Sequence, residues 1–307
     1  MLEGRTIIVF GIEHYNPLGI IRSLGEQGIH PVFIAIPGRA DVASASKYVA
    51  KCHRVKDYVE GCQLLLEEYG DFPADNLPIV ITSDDEQVGY MDEHYDDFAG
   101  KFIFFNAGKN GGITEYMDKF NILELAKKNG LNTLEAVSVK RGEIPENVPY
   151  PVITKSIAPN IGGWKADVFI CENEEELKAA YEKIQSPTVL VQHYIDKKNE
   201  LVLEGFSADK GRQTFIAIAS LYKYNIKGYY SPYHSVDNFK DQFLYDALSK
   251  MLEQIGFEGI FEIEFLVDKD DTLYFSEINF RNSTWSYAAT CAGMNLPVLW
   301  AESMLSG

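Results

Sequence analysis

The first hundred residues alternate between short apolar runs and amphipathic segments. Thr6–Phe10 and Pro31–Ile36 are apolar runs of strand length, and Leu18–Gln27 between them has apolar positions at helical spacing. Strands that alternate with helices predict a parallel α/β sheet. The other elements predicted before residue 108 are a helix at 58–69 and strands at 78–82 and 101–105.

The pattern changes after the glycine-containing linker at 108–112. A single helix is predicted from Thr114, a possible N-cap, to Asn129, with Gly130 as its stop. The segments that follow favour short strands with few helices, which is typical of α+β architecture. The predicted strands are 152–156, 166–171, 188–195, 200–206 and 214–222, and the predicted helices are 174–184 and 238–255.

Two strands at 261–267 and 274–281 predict a β-hairpin. Aromatic and branched residues alternate with polar ones in both, and a polar turn separates them. A four-residue loop at 269–272 sets the predicted register. Asp268 then faces Leu273, Leu266 faces Phe275, and Glu264 faces Glu277.

This hairpin carries the main chemical signal of the chain. Alternation puts Glu262 and Glu264 on one face of the first strand, and Glu277, Asn279 and Arg281 on one face of the second. Carboxylates directly opposite each other repel, and a cation relieves the repulsion. Two carboxylates and an amide oxygen suit Mg²⁺, and Arg281 is placed to bind an anion held by the metal. The alternative is a solvated, charged sheet face.

Three further segments have residues suited to a nucleotide. Lys155 ends an apolar strand, and Gly162 and Gly163 follow in a loop whose backbone amides can approach a phosphate. The alternative is an ordinary hairpin turn. The segment 189–194 can flank a purine, with Glu200 near the ribose, or be simply core. Ser83–Glu86 after a strand reads as a helix N-cap with acidic residues in the first turn, or as a substrate contact.

Composition narrows the function classes. The chain has 307 residues, 46% of them hydrophobic and 24% charged, as in an ordinary globular protein. Its net charge of −17 disfavours nucleic acid and anionic membranes as partners, and no apolar run is long enough to span a bilayer. The four cysteines show no Cys-x-x-Cys pair, so free thiols in the cytoplasm are expected.

Taken in order, these pieces resemble the ATP-grasp superfamily, whose enzymes use ATP to activate a carboxylate for attack by an amine or similar nucleophile. The most specific signal is Glu-x-Asn-x-Arg at 277–281 after Glu264-Phe265. The resemblance covers nearly the whole chain. It implies a pre-ATP-grasp α/β domain at 1–107, a small lobe with linker helix and lid at 108–196, and a C-terminal lobe at 197–307. Many relatives continue beyond the position matching Gly307, so a short or shortened form is expected.

The resemblance also implies roles for individual residues. ATP with Mg²⁺ or Mn²⁺ is the implied cofactor set, with the metal on Glu264, Glu277 and Asn279, and Arg281 and Lys155 assist the reaction. Those assigned to the nucleotide are Lys119, Lys155, Gly162, Gly163, Gln192, His193, Tyr194, Ile195 and Glu200.

The resemblance therefore implies ATP-dependent carboxylate–amine ligation through an acyl phosphate, and a homodimer as the assembly. The subfamilies that the chain most resembles are the amino-acid ligases and the carbamoyl-phosphate-synthase-like group, including D-aspartate ligases. The alternatives are a non-catalytic ATP-binding regulator and a carboxylate phosphotransferase. The candidates for contact with the substrate are Lys223, His234, Arg281 and Ser283.

Overall fold

The structure is a computed structural model that describes residues 2–157, 164–224, 231 and 233–306, with the backbone alone at 164 and 165. Within these residues the strands form three sheets, a parallel one followed along the chain by two antiparallel ones. This confirms the predicted fold class, α/β followed by α+β.

The first sheet is parallel and is covered on both faces. Its strand order is β3-β2-β1-β4, and alternation in β1 sends Ile7 and Val9 into one apolar cluster and Ile8 and Phe10 into another. The strands are β1 (Ile7–Ile12), β2 (Val32–Ile36), β3 (Lys51–Arg54) and β4 (Ile79–Thr82), and the helices are α1 (Tyr15–Gly25), α2 (Tyr58–Tyr69), α3 (Asp85–Glu93) and α4 (Tyr95–Phe98).

The strand predicted at 101–105 is not a regular strand. Ile103 forms an isolated parallel bridge with Ile79, and Phe102 forms one with Ala99, but neither extends into a ladder. Its aromatic neighbours still divide between the two apolar clusters, with Phe104 in one and Phe105 in the other. The apolar pattern therefore predicted correctly that these residues are buried, and incorrectly that they form a regular β-strand.

The second sheet is antiparallel, with the order β5-β8-β6-β7. One face packs against α7. The opposite face carries Lys155 of β6 across from Leu190 of β8, and Ile153 across from Gln192. The elements are β5 (Ala136–Lys140), β6 (Val152–Ser156), β7 (Ile170–Cys171), α7 (Glu174–Tyr181) and β8 (Thr188–His193).

The strand predicted at 166–171 is mostly a turn. A 3₁₀ turn spans Trp164–Asp167, and the strand is reduced to two residues. The reason is the Asp167 carboxylate, which accepts hydrogen bonds from the backbone N–H groups of Gln185 (2.8 Å) and Ser186 (3.0 Å) and holds the chain in a turn.

The third sheet is antiparallel, with the order β11-β10-β9-β12-β13. Helix α6 packs against β13 and α8. The elements are α5 (Thr114–Met117), α6 (Lys119–Lys128), β9 (Asn199–Ala208), β10 (Gln213–Tyr222), β11 (His234–Asp237), α8 (Gln242–Ile255), β12 (Gly259–Val267), β13 (Leu273–Asn279), α9 (Tyr287–Cys291) and α10 (Leu296–Ser306).

The helix predicted at 114–129 is two helices. Asp118 separates α5 from α6 with an extended backbone, and its carboxylate accepts hydrogen bonds from the N–H groups of Phe120 (2.9 Å) and Asn121 (3.0 Å). It is therefore the N-cap of α6. This cap makes Lys119 the first residue of a helix.

One apolar cluster joins the first and third sheets. It contains Ile20 of α1, Phe105, Phe261 of β12 and Trp300 of α10, all almost fully buried. No helix in the described part of the chain is long and apolar enough to cross a membrane.

Candidate active site

The hairpin of β12 and β13 puts its acidic residues on one face. Glu264 lies opposite Glu277, as predicted, and Glu262 lies opposite Asn279. The Asn279 amide Nδ2 donates to Glu262 Oε1 (2.9 Å) and Glu264 Oε1 (3.1 Å). Three carboxyl groups and an amide thus share this face.

The predicted register at the loop was wrong. Val267, not Asp268, lies opposite Leu273, and Leu266 lies opposite Tyr274 rather than Phe275. Asp268 belongs to the turn, because its carboxylate accepts hydrogen bonds from the backbone N–H groups of residues 270 and 272.

A bulge restores the predicted pairing beyond the loop. Glu264 pairs with Glu277 and Phe265 pairs with Phe275, which leaves Ser276 as the extra residue between them. The one-residue error at the loop is therefore cancelled before the strands reach the acidic residues.

Lys119 lies against the acidic pair. Its ammonium forms an ion pair with Glu277, and both side chains are mostly buried. This ammonium lowers the pKa of Glu277 to about 2. Burial, and then the charge of Glu277, raise the pKa of Glu264 well above its usual range. The pKa values of the two carboxyls are therefore shifted in opposite directions, downward for Glu277 and upward for Glu264.

The donor set of the hairpin fits a hard divalent cation. The described residues contain no group of three or more His, Cys, Asp or Glu side chains placed to hold a metal. The hairpin offers two carboxylates, from Glu264 and Glu277, and the Asn279 amide. The Asn279 Oδ1 accepts a hydrogen bond from Arg281 Nη2 (3.2 Å). Rotation of the Asn279 amide would turn this oxygen toward Glu264. A cation on these oxygens would relieve the repulsion that raises the pKa of Glu264.

Arg281 connects the hairpin to the first sheet. Its Nε donates to Asp85 Oδ1 (3.0 Å), at the start of α3. Burial lowers the pKa of Arg281, but the nearby charges of Asp85 and Glu262 outweigh it and raise this pKa further above its usual value. As predicted for the segment 83–86, the N-cap of α3 lies here, at Asp84, and acidic residues follow in the first turn. The Asp84 side chain makes no capping hydrogen bond and accepts instead from the Ile12 N–H (2.9 Å). Sequence reasoning missed the contact between Asp85 and Arg281.

Lys155 lies in the same charged region. Its Nζ donates to Gln192 Oε1 (3.0 Å) across the face shared by β6 and β8. Burial, and then the nearby ammonium of Lys119, lower the pKa of Lys155, while Glu277 and Glu264 oppose the shift. The charge of the acidic hairpin therefore acts on both lysines, and Lys119 contacts it directly.

The segment predicted to bind adenine, 192–195, begins in the last two residues of β8 and continues beyond the strand. The backbone N–H groups of His193 and Tyr194 donate to Glu135 and Pro151 carbonyls, both at 2.8 Å. Across the described chain, no group accepts a hydrogen bond from the Ile195 N–H. Glu200, on β9, is almost buried and forms an ion pair with Lys197.

The other residues predicted to contact a substrate are in varied positions. Lys223 is exposed beyond β10. The His234 ring lies 4.0 Å from the Trp285 ring, and burial lowers the pKa of His234. Ser283 Oγ donates to Glu204. Gly162 and Gly163 lie outside the described residues.

Glu204 is a second residue that sequence reasoning missed. It is fully buried on β9 opposite Glu262, and its Oε2 accepts from Ser286 Oγ (2.6 Å). Burial, and then Glu204, raise the pKa of Glu262 to about 8. The signal was present in the sequence, because Glu204 follows Glu200 at the spacing of one strand face.

Curated relatives resemble about half of this chain. No family model matches the chain. It is 25% identical over 174 residues to N5-carboxyaminoimidazole ribonucleotide synthase from Staphylococcus aureus, a match that covers 52% of this chain and 43% of that protein. The chain thus spans less than half the length of the curated relatives it matches.

Solved structures extend the comparison to nearly the whole chain. N5-carboxyaminoimidazole synthetase from S. aureus complexed with ADP has a TM-score of 0.72 at 17% identity, covering 98% of this chain and 78% of that one. L-amino acid ligase from Bacillus licheniformis has a TM-score of 0.70 at 16% identity, covering 98% of this chain and 74% of that one. Both are ATP-grasp ligases. The chain has the ATP-grasp fold. The resemblance predicted from the sequence is therefore confirmed.

The ATP-grasp fold also occurs in a biotin carboxylase domain, that of 2-oxoglutarate carboxylase from Hydrogenobacter thermophilus, in complex with MgADP. It has a TM-score of 0.72 at 19% identity and covers 97% of this chain and 69% of that one. In this chain Lys119, Lys155 and Arg281 all lie near the acidic hairpin, an arrangement suited to a polyanion held by a metal.

Proposed function

We propose that the chain is an ATP-dependent carboxylate–amine ligase that acts on an amino acid or a similar small carboxylate. The observation that carries this proposal is the charged cluster itself. Glu264 and Glu277 face each other across a hairpin, with Lys119, Lys155 and Arg281 around them. Buried charges of both signs in one cluster are typical of a site for a metal and a polyanion.

The hairpin is the proposed metal site. Glu264, Glu277 and Asn279 would hold Mg²⁺, or Mn²⁺ in its place, and the bound ion would screen the charge of the phosphate oxygens. Lys119 and Lys155 are proposed to bind the phosphates. Both lysines already lie close to the acidic pair, which supports this assignment.

The proposed nucleoside site follows β8. The segment Gln192–Ile195 would bind adenine and Glu200 the ribose hydroxyls. In support, the N–H groups of His193 and Tyr194 are used within the protein, which leaves the Ile195 N–H for a ligand. Gly162 and Gly163 are proposed to cover the phosphates.

The proposed chemistry has two steps. A carboxylate oxygen of the substrate attacks the γ-phosphorus of ATP, the bond to the bridging oxygen of ADP breaks, and an acyl phosphate forms. An amine then attacks the acyl carbon, phosphate leaves, and the nitrogen loses a proton to give the amide. Arg281 would hold the transferring phosphoryl group, and the protein contributes mainly positioning and charge neutralisation.

The proposal also covers the units of the chain, the position of the substrate and the partners. The proposed units are 1–107, 108–196 and 197–307, and we propose that the carboxylate binds between the first unit and the hairpin, with Lys223, His234 and Ser283 as candidate contacts. The partners are a small carboxylate and an amine, in a cytoplasmic enzyme that forms a homodimer. The names of the relatives support this class, because they include an L-amino acid ligase and a synthase.

Substitution of one proposed metal ligand tests the function. ADP and phosphate release are measured with Mg²⁺, ATP, a panel of amino acids and an added amine, for wild type and Glu277→Gln. Loss of a ligand is expected to lower turnover by about 100-fold or more. The matched control is Glu253→Gln, the same change at an exposed position of α8.

The alternatives give different outcomes. Turnover of Glu277→Gln at the wild-type rate would refute the metal assignment. Nucleotide binding without phosphate release from any carboxylate would favour a regulator. ADP release that needs a carboxylate but no amine, with a stable phosphorylated product, would favour a phosphotransferase.

A further inference from the structure

A small cavity lies beside the proposed metal site, where α3, α5, α6 and β13 meet. The polar part of its lining consists of Asp85, Lys119, Glu277 and Asn279, and its volume is about 20 Å³. A volume of this size has room for one group as large as a water molecule or a methyl group. The cavity therefore adjoins the residues proposed to hold the metal and the phosphates.

The rest of the lining is apolar or aromatic, and consists of Tyr116, Met117, Ile122, Ile278 and Phe280. Ile122 and Phe280 are 1% and 0% exposed and belong to the large apolar cluster, whereas Tyr116 and Met117 of α5 are half-buried. The Met117 side chain is unbranched and fills irregular space. The length of the cavity therefore depends mainly on α5.

Helix α5 is held in place by α3. The Asp92 carboxylate, which is 0% exposed, accepts hydrogen bonds from the backbone N–H groups of Ile113 (2.9 Å) and Thr114 (2.8 Å) and from Thr114 Oγ1 (3.0 Å). The first residue of the same helix α3 is Asp85, which lines the cavity. Because one helix positions both parts of the lining, the cavity has a defined size.

The charged groups of the lining are already paired within the chain. Lys119 forms an ion pair with Glu277, and Asp85 accepts from Arg281 Nε (3.0 Å). In the proposed complex, Glu277 would bind the metal and Lys119 the phosphates, so neither would serve a charged group of the substrate. Such a group would lose its hydration in the cavity without gaining a partner. The cavity therefore favours an uncharged group.

The cavity is also close to the group proposed to hold the transferring phosphoryl, because Asp85 lines it and contacts Arg281. We propose that the cavity receives the side chain of the carboxylate substrate and that Met117 limits the length of this side chain. The substrate is then a carboxylate with a short, uncharged aliphatic side chain. This rests on the proposed function and names its substrate class.

Two homologous series of ligands test the cavity by binding. Wild-type protein saturated with MgADP is titrated calorimetrically with glycine, alanine, 2-aminobutyrate, norvaline and norleucine, and with the unbranched monocarboxylates from acetate to hexanoate. In at least one series, alanine or propionate is expected to bind best, and each further methylene to weaken binding by about 10-fold. Binding that is independent of length, or no binding in either series, would overturn the proposal.

Aspartate and succinate test the preference for an uncharged side chain. They have as many carbon atoms as 2-aminobutyrate and butyrate, respectively, and carry a second carboxylate. In the series that binds, the dicarboxylate is expected to bind about 10-fold or more weakly than its uncharged counterpart, because the cavity offers it no free cation. Equal or tighter binding of the dicarboxylate would overturn the proposal.

Two substitutions of Met117 are expected to shift the preferred length in opposite directions. Met117→Ala lengthens the cavity, so the best ligand should be longer by about two carbon atoms. Met117→Phe fills it, so only glycine or acetate should retain affinity. Either variant tests the proposal alone if the other does not fold. An unchanged preference in the folded variants would overturn it.

The matched control is Met304→Ala. Met304 of α10 is also half-buried and packs against the same apolar cluster as Met117, but it does not line the cavity. Its substitution is expected to leave the preferred length unchanged. A shift equal to that of Met117→Ala would show that the effect comes from general loosening of the core and would overturn the proposal.

Phosphate release from ATP, measured with the same series and an added amine, separates the two proposals. Length-dependent binding that shifts in the Met117 variants, without phosphate release from any carboxylate, would support the cavity and refute the ligase. Phosphate release that is as fast with norleucine or hexanoate as with alanine or propionate would support the ligase and refute the role of the cavity.

Discussion

At the scale of single residues, Arg281 depends on a carboxylate from the first sheet. Asp85 Oδ1 accepts from Arg281 Nε at 3.0 Å, and both side chains are largely buried. A charged hydrogen bond of this kind fixes the plane of a guanidinium, and therefore the direction of its remaining donors. Asp85 is thus a positioning residue for the group proposed to hold the phosphoryl.

Asp85→Asn tests this positioning role. The variant keeps the shape of the side chain and removes its charge, so we expect kcat to fall by about 10-fold or more and binding of an ATP analogue to be unchanged. Steady-state kinetics and calorimetry measure the two quantities. A variant with reduced nucleotide affinity and normal kcat would contradict the role, and Asp71→Asn, at an exposed position, is the control.

Glu204 predicts a pH dependence of stability. Burial raises its pKa above the usual value. Near pH 4.5 and below, folded and unfolded chains both hold the proton. As the pH rises, the unfolded chain releases it while the folded chain retains it, so folding loses stability until the folded pKa is passed. We expect Glu204→Gln to gain stability relative to wild type as the pH rises above the usual pKa of a glutamate, as measured by urea unfolding. A constant difference would contradict this.

At the scale of elements, the N-cap of α6 determines where Lys119 lies. Asp118 accepts two backbone hydrogen bonds and begins the helix one residue before this lysine. We expect Asp118→Ala to lower the free energy of unfolding by about 1 kcal/mol and to weaken binding of an ATP analogue. Asp118→Asn preserves the cap and should retain both properties. Equal losses in the two variants, measured by urea unfolding and calorimetry, would rule out capping as the cause.

The hairpin shows how far sequence reasoning reaches at this scale. Alternation identified the acidic face because period 2 holds along most of each strand, and Glu264 does face Glu277. The loop register was wrong because the Asp268 turn and the bulge at Ser276 depend on backbone hydrogen bonds that a residue pattern does not specify. Likewise, Asp167 prevents a predicted strand through contacts made with residues far along the chain.

At the scale of the whole molecule, the candidate site is assembled from distant parts of the chain. Asp85 and Arg281 are 196 residues apart, and Asn16 and Asn282, which are hydrogen bonded at 2.7 Å, are 266 apart. Spacing within a motif predicted Glu277, Asn279 and Arg281 as a group. It could not predict the contacts with the first sheet, because these arise only when the sheets pack together.

The shared core predicts that the chain unfolds as one unit. Trp300 of α10 is fully buried, and its ring packs edge-on against Phe105, with centroids 4.7 Å apart, in the cluster that joins the first and third sheets. We expect Trp300→Ala to lower the free energy of unfolding by about 3–5 kcal/mol, and Trp300→Phe by less. Because both sheets lose packing together, the calorimetric transition should remain single in each variant. Two separate transitions, with only one shifted, would show that the first sheet is stable without α10.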